Sequence, residues 1–330
     1  METKNVKSVR RSGQQYAELL CDFMFKRLFG SEANKDVLIG FLNMILEDAE
    51  IVDVDFIPTE HLGDTEEDRK AVFDISCRCK DGKSFIIEMQ RAHQRHFRKR
   101  ALYYTSYPIN EQGRHARELH IKEKSDNPDG NAKYQWDYDL KPVTVVAILN
   151  FRFEHSSTWP EDMCCSSYRL REDFSHEVMT DVLRFVFLEL GRFNKRIWEL
   201  DTVFDKWMYL LKHMHEMVEI PSEFGDPLFT RLFLLAEIGK FTAEELKQYK
   251  KSLDNMGDYY NTIHTAAEEA EKKGHAAGLA EGFTRGWEEG KEEGREEAIK
   301  VIAQNLLEKG MSVEDVASIT GMSMEDVKAL

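Results

Sequence analysis

The chain has 330 residues, 42% of them hydrophobic, five cysteines and a formal net charge of −15. That length supports one large domain with a smaller companion. The lack of any apolar run of about 18 residues excludes a membrane span, and the odd cysteine count offers no disulfide framework. The start, METKNVKSVRRSGQQ, carries no apolar stretch behind its basic residues, so no signal peptide is expected and the reading is cytoplasmic. The acidity is uneven. Residues 1–150 hold 23 Lys and Arg against 25 Asp and Glu, and residues 89–110 carry five basic side chains and no acid. Local potential governs nucleic-acid contact more than the total does, so the overall charge does not exclude DNA.

In chain order, residues 14–29 and 34–48 have helical apolar spacing. Residues 51–57 read as a short strand and 60–70 as a charged surface loop. Residues 71–79 and 84–90 have strand composition around an Asp81-Gly82 turn. A two-residue loop would set Asp74 against Met89. A three-residue loop, Lys80-Asp81-Gly82, sets Asp74 across from Glu88 and puts Gln90 on the same face, provided Gly82 takes the left-handed conformation of a G1 bulge. A basic helix is expected over 91–107, stopped by Pro108, followed by an exposed loop at 121–133. Residues 142–151 are apolar on both faces, as in a central strand, and 164–170 add another. Helices are expected at 179–190, 194–218 and 228–238, with Trp198 and Trp207 in the core. Thr242-Ala-Glu-Glu245 is a capping box. Glycines recur at every fourth position from Gly274 to Gly294, which suits a linker helix or a self-associating one. Ser312-Val-Glu-Asp315 and Ser323-Met-Glu-Asp326 each open a short helix. Their spacing is that of a helix-turn-helix, but their acidity favours docking or oligomerisation over DNA reading. The architecture that follows is an α/β fold, a mixed sheet flanked by helices with an all-helical C-terminal extension. The expected division is 1–240, a charged helical linker at 241–295 and a small helical unit at 296–330.

Asp74 and Glu88 at adjacent strand ends supply the oxygen ligands that hard divalent ions prefer, and the Met89 carbonyl adds another. Cleavage of a phosphodiester uses such an ion together with an activated water. Gln90 can position water, Arg98 and Arg100 can grip phosphates, and Tyr103 can stack on a base. Cys77-x-Cys79 and His93-x-x-His96 have ligand-like spacing, but alternation places both cysteines opposite Asp74, as core thiols.

The order Asp22-Phe-Met-Phe-Lys26-Arg-Leu-Phe29-Gly30, Asp74 on a strand, Glu88-Met89-Gln90 and Arg98-x-Arg100-x-x-Tyr103 resembles the recombination-promoting nuclease and transposase family. That family is similar to the wider PD-(D/E)xK superfamily. The likeness covers about residues 15–240, including FLEL-GRFNK at 187–195. It implies a restriction-endonuclease-like core and a Mg²⁺-dependent DNA endonuclease tied to recombination or mobile DNA, with Mn²⁺ as a substitute ion. The implied catalytic set is Asp74, Glu88 and Gln90, with Gln90 where the superfamily carries lysine and Phe73 in place of its proline. The missing lysine charge would pass to Lys26 or a nearby arginine, and an extra acid would come from Asp22 or Glu18. DNA contacts fall to Lys26, Arg95, Arg98, Arg100 and Tyr103. Two other functions compete: a DNA-binding protein that no longer cuts, and a structural protein self-assembling through its C-terminal helices.

Overall fold

A computed structural model describes residues 14–61, 71–126 and 136–330. It divides into two compact units, Met1–Met256 and Gly257–Leu330. The first unit opens with helices α1 (Asp22–Phe29) and α2 (Lys35–Ile45). Strands β1 (Asp55–Phe56), β2 (Glu60–His61), β3 (Ala71–Val72), β4 (Ile75–Arg78) and β5 (Ser84–Gln90) follow. Next come α3 (Phe97–Asp126), β6 (Val143–Leu149), β7 (Cys165–Arg169), β8 (Leu183–Glu189), α4 (Val203–His213) and α5 (Pro227–Ala236). Six strands form one sheet in the order β1-β4-β5-β6-β8-β7, and β2 pairs with β3 in a separate ribbon. β5, β6 and β8 run parallel and the other pairs are antiparallel. The sheet is therefore mixed, and the C-terminal ends of three adjacent strands share one edge.

Parity along the strands divides the core into two layers. Ile87, Met89, Val146, Ile148, Val186 and Leu188 face α1, α2, α4 and α5. Ile86, Val145, Ala147, Leu149 and Phe187 face α3 through Phe97, Ala101 and Tyr104. Every residue of β6 is buried, as its two-sided apolar pattern predicts. Trp207 of α4 is fully buried, with its ring 5.1 Å from Phe41 and 5.6 Å from Phe229. Trp207→Ala is expected to remove about 3–5 kcal/mol of stability. At about 2–4 °C per kcal/mol, a thermal melt should fall by about 10 °C. A melting point within 2 °C of wild type would show that this cluster does not hold the domain together.

Several expected elements differ. Residues 14–21 are not helical: Tyr16 bridges Glu237, and the Ala17 N–H donates to the Ala236 carbonyl (2.8 Å), drawing the segment into extended pairing. The helix expected at 91–107 begins only at Phe97 and runs through Pro108 to Asp126. Thr105 and Ser106 hydroxyls donate to the Leu102 and Tyr103 carbonyls next to the proline. The buried face of Phe97, Ala101 and Tyr104 outweighs the lost N–H. Residues 179–190 contain strand β8 instead of a helix. A short run buried on both sides gives no periodicity to tell the two apart. The 194–218 stretch is helical at α4, with short 3₁₀ turns around it. Trp198, expected in the core, is 69% exposed. The loop expected at 60–70 starts with β2, and the loop at 121–133 starts inside α3; residues 62–70 and 127–135 lie outside the described residues.

Thr242 and Glu245 exchange the expected capping bonds at the start of α6 (Ala243–Glu308). This single helix covers the linker expected at 241–295 and continues into the terminal segment. In the second unit, the six glycines from Gly274 to Gly294 lie on its exposed surface. α7 (Val313–Thr320) and α8 (Met324–Lys328) follow, capped by the Ser312 and Ser323 hydroxyls as their sequences predict. Gly321 ends α7 in the left-handed region (φ 73°), and Ala303, Val316 and Val327 form a small core. No helix among the described residues is long and apolar enough to cross a membrane.

Candidate active site

The site is built by the β4–β5 hairpin. Ile75 pairs with Ile87 and Arg78 with Ser84. The Cys79 N–H donates to the Lys83 carbonyl (2.8 Å), leaving Lys80, Asp81 and Gly82 as the turn. Gly82 sits at φ +89°, the left-handed residue that a three-residue loop requires. A Cβ there would also lie 2.8 Å from Lys141 Cγ. One step beyond Ile75 and Ile87, this register sets Asp74 across from Glu88, as the three-residue reading predicts.

Three hydrogen bonds fix the acidic pair. The Asp74 N–H donates to Glu88 Oε1 (3.3 Å), the Met89 N–H donates to Asp74 Oδ2 (2.7 Å), and Gln90 Nε2 donates to Glu88 Oε2 (3.2 Å). β4 breaks at this point, because the Phe73 N–H turns away to the Thr59 carbonyl (2.9 Å). The Asp74 carboxylate takes over the ladder bond that the backbone no longer supplies. Ladder alternation aims the N–H and carbonyl of one residue to the same side, so the Met89 carbonyl faces the same opening.

Glu88 is 3% exposed. Burial, then the charge of Asp74, pushes its carboxyl up to about 8, against the opposing pull of Arg100. Burial also raises Asp74, while the Met89 N–H and the charges of Lys26 and Arg100 work the other way. A buried carboxylate pair of this kind is under-compensated, which is what a cation would correct. The donors are all oxygen, so the residues fit a hard divalent ion. Among the described residues, no group of three or more His, Cys, Asp or Glu side chains is placed to hold a metal. The oxygens that could hold an ion at this strand end are those of Asp74, Glu88 and the Met89 carbonyl. Cys77 is buried with its thiol pushed up to about 12, in keeping with a core role.

Asp22 shows no hydrogen bond to the pair, although its charge, like that of Lys26, reaches Asp74. It bonds Lys26 across one helical turn (2.9 Å). Glu18 accepts from the Leu20 N–H and lies 3.0 Å from His215. Arg91, expected on the basic helix face, donates to the Leu20 carbonyl before that helix starts. Arg95 is exposed and also precedes α3. Arg98 lies over Phe153 (4.4 Å), and Tyr103 is half-exposed with its hydroxyl 2.9 Å from that of Tyr107. Arg100 bonds Gln94 Oε1 and lies over the Phe97 and Tyr104 rings. Its Nε and Nη2 are buried with no hydrogen-bond partner.

Sequence reasoning missed Gln94, Tyr104 and a second buried cluster. The Tyr104 hydroxyl is raised by burial first and then by the charge of Glu88. Glu189, in register with Gln90 two strands away, accepts from the Phe153 N–H (2.7 Å) and Arg192 Nε (3.1 Å) and lies 2.6 Å from His155. Its one sequence signal was its place in FLEL-GRFNK.

An acid on one hairpin strand, facing an acid-x-polar step on the next within a mixed sheet flanked by helices, defines a nuclease core of the PD-(D/E)XK type. The chain belongs to the family described as PD-(D/E)XK nuclease family transposase, whose model matches residues 19–266. Residues 295–330 match a second model, the Rpn/YhgA-like nuclease family, C-terminal HTH domain. This match favours the helix-turn-helix reading of the terminal segment over docking alone. No curated protein and no solved structure matches the chain.

Proposed function

We propose that the protein is a metal-dependent DNA endonuclease acting in recombination or on mobile DNA, with Asp74, Glu88 and Gln90 as its catalytic set. The observation that carries this reading is the buried Asp74–Glu88 pair, held in register at the end of β5 in a chain of this family. Asp74, Glu88 and the Met89 carbonyl would hold Mg²⁺, or Mn²⁺ in its place. A bound ion of this type polarises a phosphate and makes water nucleophilic near neutral pH.

The chain's own residues do the rest. Gln90 orients Glu88 through its amide and leaves its carbonyl oxygen to position water. Arg100, with two buried nitrogens unbonded, is aimed at charge developing on the phosphate. Lys26 supplies positive charge where the superfamily lysine is missing. Arg95, Arg98 and Tyr103 contact the DNA backbone and bases. The terminal helix-turn-helix gives a second point of DNA contact. Leu279, Phe283 and Trp287 form an exposed stripe at helical spacing beside the glycines of α6, which suits pairing with a second copy.

A DNA-binding protein that does not cut is the second reading, favoured by the Gln90 amide in place of an ammonium. Supercoiled plasmid separates the two. Nicking or linearisation is expected in Mg²⁺ or Mn²⁺ and none in EDTA. Salt-sensitive binding without cutting in either metal would leave the second reading standing.

A further inference from the structure

Beyond β8 the chain makes a cationic turn, Gly191-Arg192-Phe193-Asn194-Lys195-Arg196, which leaves the sheet at the edge where β5 also ends. Two strand spacings, about 10 Å, separate the ends of β5 and β8. The turn and α4 border an open cleft of about 390 Å³. Lys195, Arg196, Trp198, Tyr209 and Lys212 line it.

The cleft has charge to spare. Lys195 is paired with Asp205 (2.8 Å), and His213 with Glu216 (3.0 Å). Lys212 Nζ donates to the Phe193 carbonyl (2.6 Å) and has no ion pair among the described residues. Arg152, held to the Gly191 carbonyl (2.6 Å), adds a second cation beside it. Burial first, and then Arg152, holds the Lys212 ammonium below its ordinary value, against the opposing charge of Glu216, which also lines the cleft. An anion seated at Lys212 would relieve that repulsion. Trp198 is 69% exposed, with the Arg196 guanidinium 5.3 Å over its ring. An exposed indole that already carries a guanidinium on its ring, beside the Lys212 ammonium, can bind a base by stacking and its phosphate by charge.

We propose that this cleft takes an unpaired nucleotide of a DNA strand, with its base on Trp198 and its phosphate at Lys212. The proposal deepens the endonuclease reading by naming DNA with a single-stranded segment as the substrate class. A base within a duplex offers no free face for Trp198.

The test is binding of the full chain in EDTA, where cutting plays no part. Fluorescence is titrated with an oligo-dT strand, a blunt duplex and free dTMP, using wild type, Trp198→Ala and Lys212→Ala. Thermal melts check that the variants fold. The strand is expected to quench wild-type fluorescence, with the quench lost in Trp198→Ala and affinity about tenfold weaker. Lys212→Ala is expected to lower the slope of log affinity against log salt by about 0.7. Equal binding of duplex and strand overturns the requirement for an unpaired base. Binding of dTMP alone overturns the strand assignment, and unchanged strand binding in both folded variants overturns the cleft itself. A protein that binds the strand through the cleft but never cuts plasmid would instead count against the endonuclease reading.

Discussion

Asp74→Ala and Glu88→Ala are each expected to reduce plasmid cleavage by about a thousandfold or more. Charge stabilisation at a metal centre is worth several kcal/mol, and each 1.36 kcal/mol is a factor of ten in rate. The two substitutions act on one unit, so the double variant should be no worse than either single one. Asp74→Ala also leaves the Met89 N–H without its acceptor. Asp74→Asn keeps an oxygen there and separates a lost ligand from a disturbed strand end. The informative comparison is cleavage by Asp74→Asn at a melting temperature matched to wild type. A folded Asn variant with wild-type cleavage would remove Asp74 from the chemistry.

Metal affinity should rise steeply with pH, by up to tenfold per unit from about pH 5 to about 8, because the ion must displace a proton from Glu88. The same shift sets a stability slope in the metal-free protein. The folded carboxyl sits at about 8, whereas an unfolded glutamate titrates near about 4.3. Its contribution to folding is therefore full below about 4.3 and is lost as pH climbs through about 8. Glu88→Gln removes that loss, so without metal it should melt several degrees above wild type at pH 9 and near it at pH 5. Mg²⁺ should raise the wild-type melting point at pH 9 and leave Glu88→Gln unmoved. Calorimetric titration of metal from pH 6 to 9 gives the direct check, and a flat affinity would rule out a proton held by Glu88.

Local chemistry made much of this legible in the sequence. Ser312, Ser323 and Thr242 announced their helices because a cap is a contact within four residues. Gly82 announced the hairpin register because few residues accept its backbone conformation. β8 was not legible, since burial on both faces erases the alternation that marks a strand. Trp198 was misplaced because an indole in a mixed sequence is ordinarily core, and its exposure depends on a turn closed by Arg152 and Lys212 from distant parts of the chain. Arg100 was named as a phosphate ligand from its charge and from the Arg98-x-Arg100-x-x-Tyr103 resemblance. Its relation to Glu88 appears only when α3 is laid across the sheet.

The Lys80-Asp81-Gly82 turn works as a length gauge for the whole site. Side chains alternate across a strand, so adding or removing one residue there would carry Glu88 and Gln90 to the opposite layer while leaving their identities untouched. Point changes within the turn are graded, but a change in its length is all-or-none. Relatives that keep this site should therefore vary the letters of the turn freely at its first two positions and hardly ever their number. A lineage that gains or loses a codon there would keep every site residue yet forfeit the constellation.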